Sequence, residues 1–304
     1  MKKLVLGTRG SDLALAQSRM VRDGLLSLHP GLEVELKIIT TTGDARTAMP
    51  LHEPTAEGAG LFTKQLEEAL LSREIDLAVH SLKDLPIETP AGLVLSAILP
   101  RAPVADLLVS LHPGGVAGLP EGATVGSSSP RRALLLQERR PDLHLVPIRG
   151  NVPTRVAKVA GGSYDATILA EAGLTRLGHD LSGDTLLSGD RTLFLESLDW
   201  MLPAPGQGAV AVETRRGDPA GAIVSVLHDP ATADCVQAER LVLKHLGGGC
   251  HLALGALALE RDGMMSLKAV FIPDQNDRRS LRSAESAAPT PEEAARLVAA
   301  KLLS

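Results

Sequence analysis

Lys83 and Asp84 stand in the run His80-Ser81-Leu82-Lys83-Asp84-Leu85-Pro86, directly after the apolar stretch Ile75 to Val79. An ammonium and a carboxylate side by side beyond a buried strand suit proton transfer, because partial desolvation tunes Asp84 for it. Local features leave a second reading open, in which Asp84 only caps the turn before Pro86. Arginines recur in comparable places: Arg9 after the first apolar run, Arg131 and Arg132 after Ser127-Ser128-Ser129, and Arg149 and Arg155 flanking Gly150-Asn151. Guanidinium forks bind carboxylates in pairs, and hydroxyls or amides at a helix start add donors, so the set predicts a pocket for a polyanion. Surface ion pairing is the plainer alternative for any one of these arginines. Phosphate is the competing anion, but no G-x-x-x-x-G-K-[ST] run occurs. Cys250 follows Gly247-Gly248-Gly249, which exposes a thiol and lets a bulky adduct approach the backbone; a buried, inert thiol is the alternative. His251 beside it makes no metal site, since no other ligand cluster has suitable spacing, and no metal is expected. Cys235 falls inside an amphipathic helix and is assigned to packing.

Loops with such contents need rigid elements behind them. The apolar run Leu4 to Leu6 predicts a strand, Leu13 through Leu25 follows helical spacing, and Leu32 to Ile38 alternates as a half-buried strand does. Phe62 to Leu71 returns to helical spacing and Ile75 to Val79 reads as a strand, so the order strand, helix, strand, helix, strand predicts a parallel sheet covered by helices. Ligands of such sheets bind beyond the carboxyl ends of the strands, which puts the loop after Val79 in a prime position. A second unit of the same kind opens after Pro100-Arg101-Ala102-Pro103, with strands near Leu107 to Val109, Thr124 to Gly126, Leu143 to Ile148 and Asp165 to Leu169. Ala209 to Glu213 reads as one more strand. A helix from Thr232 to Leu246 ends in the glycines before Cys250, as helix C-termini often do. His251 to Glu260 and Met265 to Ile272 alternate like antiparallel strands, and Thr290-Pro291-Glu292-Glu293 is a capping box opening a last helix.

Composition narrows the function classes. With 304 residues and 44% hydrophobic content, the chain can form two or three domains with cores of their own. Aromatic residues are only 2%, so cores rest on Leu, Val, Ile and Ala, and platforms for stacking nucleic-acid bases are scarce. A net charge of −5 argues against nucleic-acid or membrane-surface partners, although 31 Lys and Arg leave room for a local basic pocket. The two cysteines form no C-x-x-C pair and no disulfide framework, and the apolar run before Arg9 is too short for a signal peptide. No stretch is long enough to span a membrane, and a cytoplasmic location is expected.

Taken in order, Arg9-Gly10-Ser11 with Leu13-Ala14 and Gln17, Thr42-Gly43-Asp44, Gly60-Leu61-Phe62-Thr63-Lys64 and the His80 to Pro86 run resemble the porphobilinogen deaminase family. The resemblance continues through Gly126 to Arg132, Arg149-Gly150-Asn151 with Thr154-Arg155, Tyr164-Asp165-Ala166, Leu169 to Leu174 with Arg176, and Pro205-Gly206-Gln207-Gly208-Ala209. It closes with Glu239-Arg240 and Gly248-Gly249-Cys250. It implies two α/β domains like those of periplasmic binding proteins and a smaller C-terminal α+β domain. The expected division is residues 1–100 with 201–218 for the domain of the catalytic Asp, 101–200 for the domain of Arg-rich loops, and 219–304 for the domain of the cofactor cysteine. The family builds hydroxymethylbilane by adding four porphobilinogens, each losing ammonia, to a dipyrromethane primer, and water then releases the linear tetrapyrrole.

By that resemblance Cys250 carries the dipyrromethane as a thioether, and Asp84 is catalytic. It further implies that Lys83, Ser129, Arg131, Arg132, Arg149 and Arg155 hold the cofactor, and that Arg9, Ser11, Phe62, Arg176 and Gln207 serve the substrate. Porphobilinogen is the expected small-molecule partner, with a monomer the expected state. The chain departs from the family's usual residues at Asp12, Ala59, Ser127, Pro130 and His251-Leu252-Ala253. A non-catalytic two-lobed binder of an anionic small molecule, and a homologue that binds porphyrin precursors without polymerising them, are the competing readings.

Overall fold

The computed structural model describes residues 3–40, 63–248, 252–275, 277 and 280–304, whose strands form three sheets. Phe62, Ala59, Cys250 and His251 lie outside the described residues. The first sheet comprises β1 (Lys3–Thr8), β2 (Glu33–Ile38), β3 (Leu77–Ser81), β4 (Leu93–Ile98) and β11 (Val210–Arg215), ordered β2-β1-β3-β11-β4. Helix α1 (Asp12–Leu28) starts where the Ser11 hydroxyl accepts from the Ala14 N–H, with Asp12 in its first turn to meet the helix dipole. Its buried Gln17, Val21 and Leu25 recur every four residues and so share one face. Alternation along the strands then divides the core in two. Leu4, Leu6, Leu77 and Val79 pack with Val21 and Leu25, whereas Ala78 meets Leu66 and Leu70 of α2 (Lys64–Leu71) on the opposite face.

The second sheet comprises β5 (Asp106–Ser110), β6 (Thr124–Gly126), β7 (His144–Val146), β8 (Ala166–Ala170), β9 (Thr185–Ser188) and β10 (Arg191–Ser197), ordered β7-β6-β8-β5-β10-β9. Helices α3 (Pro130–Arg139) and α4 (Val152–Ala160) cover its two faces, α3 through Leu135 and Leu136, α4 through Val156 and Val159. The two sheets share a plan: β2-β1-β3 and β7-β6-β8 are parallel triplets, and each is followed by a strand running the other way. That antiparallel strand is β11 in the first sheet and β5 in the second. Sequence alternation predicts parallel sheets only, because periodicity reports which face is buried and not which way a strand runs. Each antiparallel strand is reached directly from the other sheet, β5 after β4 and β11 after β10. Two connections therefore run side by side between the lobes, tied where the Ala102 N–H donates to the Gly208 carbonyl at 3.2 Å.

Past β11, helix α6 (Pro219–Val224) follows the short second-lobe helix α5 (Glu171–Arg176) in chain order. A boundary at residue 219 places α6 in the third unit, but Ala220 and Val224 bury into the first sheet's core beside Val212 and Ala97, so that lobe runs on past residue 218. The third sheet is the antiparallel meander β12 (Ala253–Arg261), β13 (Met264–Ile272) and β14 (Arg282–Ala288), covered by α7 (Pro230–His245) and α8 (Pro291–Leu303). Asp262 and Gly263, with φ of 52° and 72°, close the β12–β13 hairpin in two residues, as a type I′ turn requires. Helix α7 is capped by the Asp229 side chain at its start. At its end the Gly248 N–H donates to the Leu243 carbonyl and the Gly247 N–H to that of Lys244, with Gly247 at φ 82°, a Schellman motif. The third unit touches both lobes: Ala253 and Ile272 join the Leu135 cluster, and Val236 joins Leu82 and Leu85. No helix among the described residues is long and apolar enough to cross a membrane.

Candidate functional site

β3 ends at Ser81 and a single 3-10 turn, Leu82–Asp84, follows it. Leu82 and Leu85 are buried with Ala209, Ala211 and Val236, which fixes the turn by its apolar side and leaves Asp84 exposed. Lys83 Nζ donates to Gln207 Oε1 at 3.3 Å. Burial, then the Arg132 guanidinium, lowers the Lys83 ammonium to about 8, even though the Asp84 and Asp106 carboxylates oppose the change. The Asp84 charge also reaches Arg155, whose guanidinium is pushed down by burial and then by Arg132.

Lys83 faces a cavity between the lobes. Leu13, Gln17 and Ser81 line it from the first lobe; Arg132, Arg155 and Arg176 line it from the second. Arg155 is aimed by its Nε–H, which donates to the Gly150 carbonyl at 2.8 Å. Arg176, on α5, donates to the Gly208 carbonyl at 2.6 Å and so ties the second lobe to the connection between lobes. Burial lowers its pKa from the usual arginine value. Among the described residues no carboxylate belongs to the lining, so four basic side chains converge on one cavity; Arg132 is paired with Asp106 behind it, and the Asp84 carboxylate acts on Lys83 and Arg155. Such a donor set fits a ligand carrying several carboxylates.

Other expected residues take different places. Ser11 and Ser129 are helix N-caps, the Ser129 hydroxyl accepting from the Arg132 N–H. Arg149 is exposed, half-buried Arg9 follows β1, and the Arg149 loop is tied to the Ser127 loop by the Ser128 hydroxyl, which donates to the Ile148 carbonyl at 2.8 Å. Gln207 is wholly buried: its amide donates to the Val104 carbonyl and to Asp106 Oδ1, so it holds Lys83 from behind and does not line the cavity. Gln17 and Ser81 are the residues that motif reasoning gives no role. The Gln17 amide donates to Ser81 Oγ at 2.9 Å, and its signal in the sequence is a polar residue at a core position of α1.

Arg131 and Arg132 already have an anion. Asp106, fully buried, receives Arg131 Nη2 at 2.8 Å, Arg132 Nη2 at 2.6 Å and Arg132 Nε at 3.1 Å. Burial alone would raise its carboxyl; Arg132 and Arg131, with their hydrogen bonds and that of Gln207, outweigh it and hold the group well below the usual carboxylate range. Arg131 Nη1 is spent on the Leu202 carbonyl and Arg132 Nη1 on that of Ile168, leaving Arg131 Nε buried with no partner among the described residues. Asp106→Asn is therefore expected to cost ~3–5 kcal/mol, because it strands buried guanidinium charge. A depressed pKa in the folded state contributes stability above the unfolded pKa near 4 and loses it as pH falls, so the variant also lacks that share of the acid-side decline. Denaturant unfolding over pH checks both points; a cost under ~1 kcal/mol would show the pair to be dispensable.

Two of the family departures have local reasons. Pro130 occupies the first helical position of α3, where its missing N–H is not needed, and Asp12 stands in the first turn of α1.

Residues 4–222 match the family model described as porphobilinogen deaminase, dipyromethane cofactor binding domain, and residues 233–304 match that of the porphobilinogen deaminase C-terminal domain. The porphobilinogen deaminase of Rubrobacter xylanophilus is 46% identical over 302 residues, covering 99% of this chain and 94% of that one. Those of Acidithiobacillus ferrooxidans and Thiobacillus denitrificans are 43% and 41% identical over 305 residues, covering 99% and 100% of this chain and 94% and 96% of theirs. Among solved structures, the periplasmic aliphatic sulphonate binding protein SsuA of Escherichia coli is similar at 15% identity and a TM-score of 0.39, covering 81% of this chain and 71% of that one; so low a score adds nothing to the strand order. With both lobes and the third unit matched along their length, the chain belongs to the porphobilinogen deaminase family.

Proposed function

We propose that the chain is a hydroxymethylbilane synthase, joining four porphobilinogens head to tail and releasing the linear tetrapyrrole. The observation that carries this reading is a cavity lined by Lys83, Arg132, Arg155 and Arg176, with the Asp84 carboxylate near enough to act on the charges of Lys83 and Arg155. Each porphobilinogen brings two carboxylates, and Lys83, Arg155 and Arg176, with Arg132 paired to Asp106 behind them, supply positive charge to meet them. Cys250 holds the dipyrromethane, which when bound supplies the pyrrole carbon to which the first substrate is joined. Arg9, Ser11, Phe62, Arg149 and Ser129 keep the supporting roles the resemblance gives them; Arg131 and Gln207 act from behind, through Asp106 and Lys83.

Per addition, the bond from the substrate methylene to nitrogen breaks, ammonia leaves, a methylene-to-carbon bond forms, and the pyrrole carbon gives up its proton. Asp84 stabilises the substrate cation left when ammonia departs, because a carboxylate held in a fixed direction attracts developing positive charge. The same carboxylate is placed to receive the proton. Lys83 and the arginines orient the acetate and propionate groups. The protein works as a cytoplasmic monomer with no nucleic-acid or membrane partner.

Purified chain supplied with porphobilinogen is the test, run from about pH 6 to about pH 10. Ammonia release matching porphobilinogen consumed, with bilane formed, is expected. On the alkaline side kcat/KM falls as pH rises through about 8, where Lys83 loses its charge, and Lys83→Arg abolishes that limb. Porphobilinogen bound without ammonia released would instead mark a binding protein.

A further inference from the structure

We propose that Arg240, on α7 of the third unit, is a positioning residue for Asp84: it clamps the backbone of the turn that carries Asp84. This rests on the function proposed above for Asp84. Helix α7 presents Val236, Arg240 and Lys244 at four-residue spacing, and so in one stripe. All three reach the segment from Leu82 to Glu88. Val236 packs against Leu82 and Leu85, and Lys244 Nζ approaches Glu88 Oε1 at 3.6 Å. Between them Arg240 Nη1 donates to the carbonyls of Leu82 and Leu85, each at 3.2 Å, and Nη2 to those of Pro86 at 2.5 Å and Ile87 at 3.3 Å.

Four carbonyls on one planar guanidinium is an unusual commitment for an arginine. The turn satisfies the Leu82 carbonyl through the Leu85 N–H, but past it the chain has no ladder for the carbonyls of Leu85, Pro86 and Ile87, and water is the ordinary partner of such groups. Replacing water by one rigid fork fixes the peptide planes of Leu82, Leu85, Pro86 and Ile87 relative to each other. Asp84 lies between the first and second of these and takes its direction from them. An exposed carboxylate on a free turn would spread over many directions, and misplacement by about 1 Å can cost 10²-fold in rate.

A second contact makes α7 the common reference for this turn and for the chain leading to Cys250. A Cβ on Gly248 would meet Ile87 Cδ1, and would lie 2.9 Å from the Leu243 carbonyl oxygen, so Ile87 rests directly on the backbone two residues before Cys250. The neighbouring Glu239 does the same service for the connection between lobes. It receives Arg101 at 2.7 and 2.9 Å and the N–H groups of Gly206 at 2.8 Å and Ala258 at 2.9 Å. Consecutive residues of one helix thus hold the connection between lobes and the Asp84 turn, and neither is among the residues that line the cavity.

The test compares the full chain with Arg240→Met and Arg240→Lys, the second keeping charge and much of the fold if the first fails to fold. Amide exchange by mass spectrometry is expected to quicken at Leu82 to Ile87, where the Leu85 N–H is bonded to the Leu82 carbonyl, with β12 to β14 unchanged. Turnover per folded molecule is expected to fall ~10- to 10²-fold in the Met variant with KM within about twofold, to recover in part in the Lys variant, and to recover with millimolar guanidinium ion. Unchanged exchange at Leu82 to Ile87, or a turnover loss that only follows the unfolded fraction, overturns the proposal. Exchange needs no substrate, so a chain that made no bilane would refute the function while the clamp was still read.

Discussion

Asp84→Asn is expected to fold normally and to lose ~10²-fold or more in turnover. The two halves of that expectation come from one fact, the exposure of Asp84 on a turn held by its neighbours. Leu82 and Leu85 are buried and Arg240 grips the backbone, so the side chain of Asp84 is free to serve the ligand and its replacement by an isosteric amide leaves those supports intact. The amide, however, carries no charge to stabilise a departing-ammonia cation and accepts no proton at neutral pH. A second signature follows from electrostatics. The Asp84 carboxylate supports the charge on Lys83, so its loss lets burial and Arg132 lower Lys83 further below about 8, and the residual activity declines at lower pH than in the parent chain. Ammonia release and an unfolding midpoint, measured on the same preparation, decide it. Turnover near that of the parent would remove Asp84 from the chemistry, and a large loss of stability would make its role structural.

Asp106 and Asp84 make an instructive pair, because chain position alone does not tell which of two carboxylates holds the structure and which serves the ligand. Asp84 follows a strand in a loop of polar residues, and that context points to a site. Asp106 heads the apolar run Leu107-Leu108-Val109, where an acidic residue reads as a cap. Its partners Arg131 and Arg132 come 25 and 26 residues later, on α3, and only the packing of α3 on the second sheet brings them together. The arginines were legible as anion binders; that their first anion is inside the chain was not. The same limit applies to Gln207 and Arg240, whose partners lie over a hundred residues away.

What was legible has local causes. Thr290 is the N-cap that its capping box predicts, and the glycines after α7 end that helix as C-caps do, whereas its start at Pro230 lies two residues before the periodic stretch read from Thr232. The placement of Lys83, Arg132, Arg155 and Arg176 around one cavity follows from the parallel triplets in both sheets, since loops at the carboxyl ends of such strands converge. Strand direction was not legible, and neither was β14. Its residues Arg282 to Ala288 are mostly small or polar, and only pairing with β13 makes them a strand.

The largest effect of all is expected at Cys250, because a thioether needs sulfur and a serine hydroxyl lacks the nucleophilicity to replace it. Intact-protein mass measures it directly. Chain purified from cells that make porphobilinogen is expected to be heavier than its sequence by one dipyrromethane, and added substrate to produce a ladder of pyrrole increments. Cys250→Ser is expected to show neither, and Cys235→Ser both, since Cys235 is half-buried against the third unit's core and burial raises its thiol pKa. An adduct mapped to Cys235, or a parent chain that carries none where porphobilinogen is plentiful, would contradict the account.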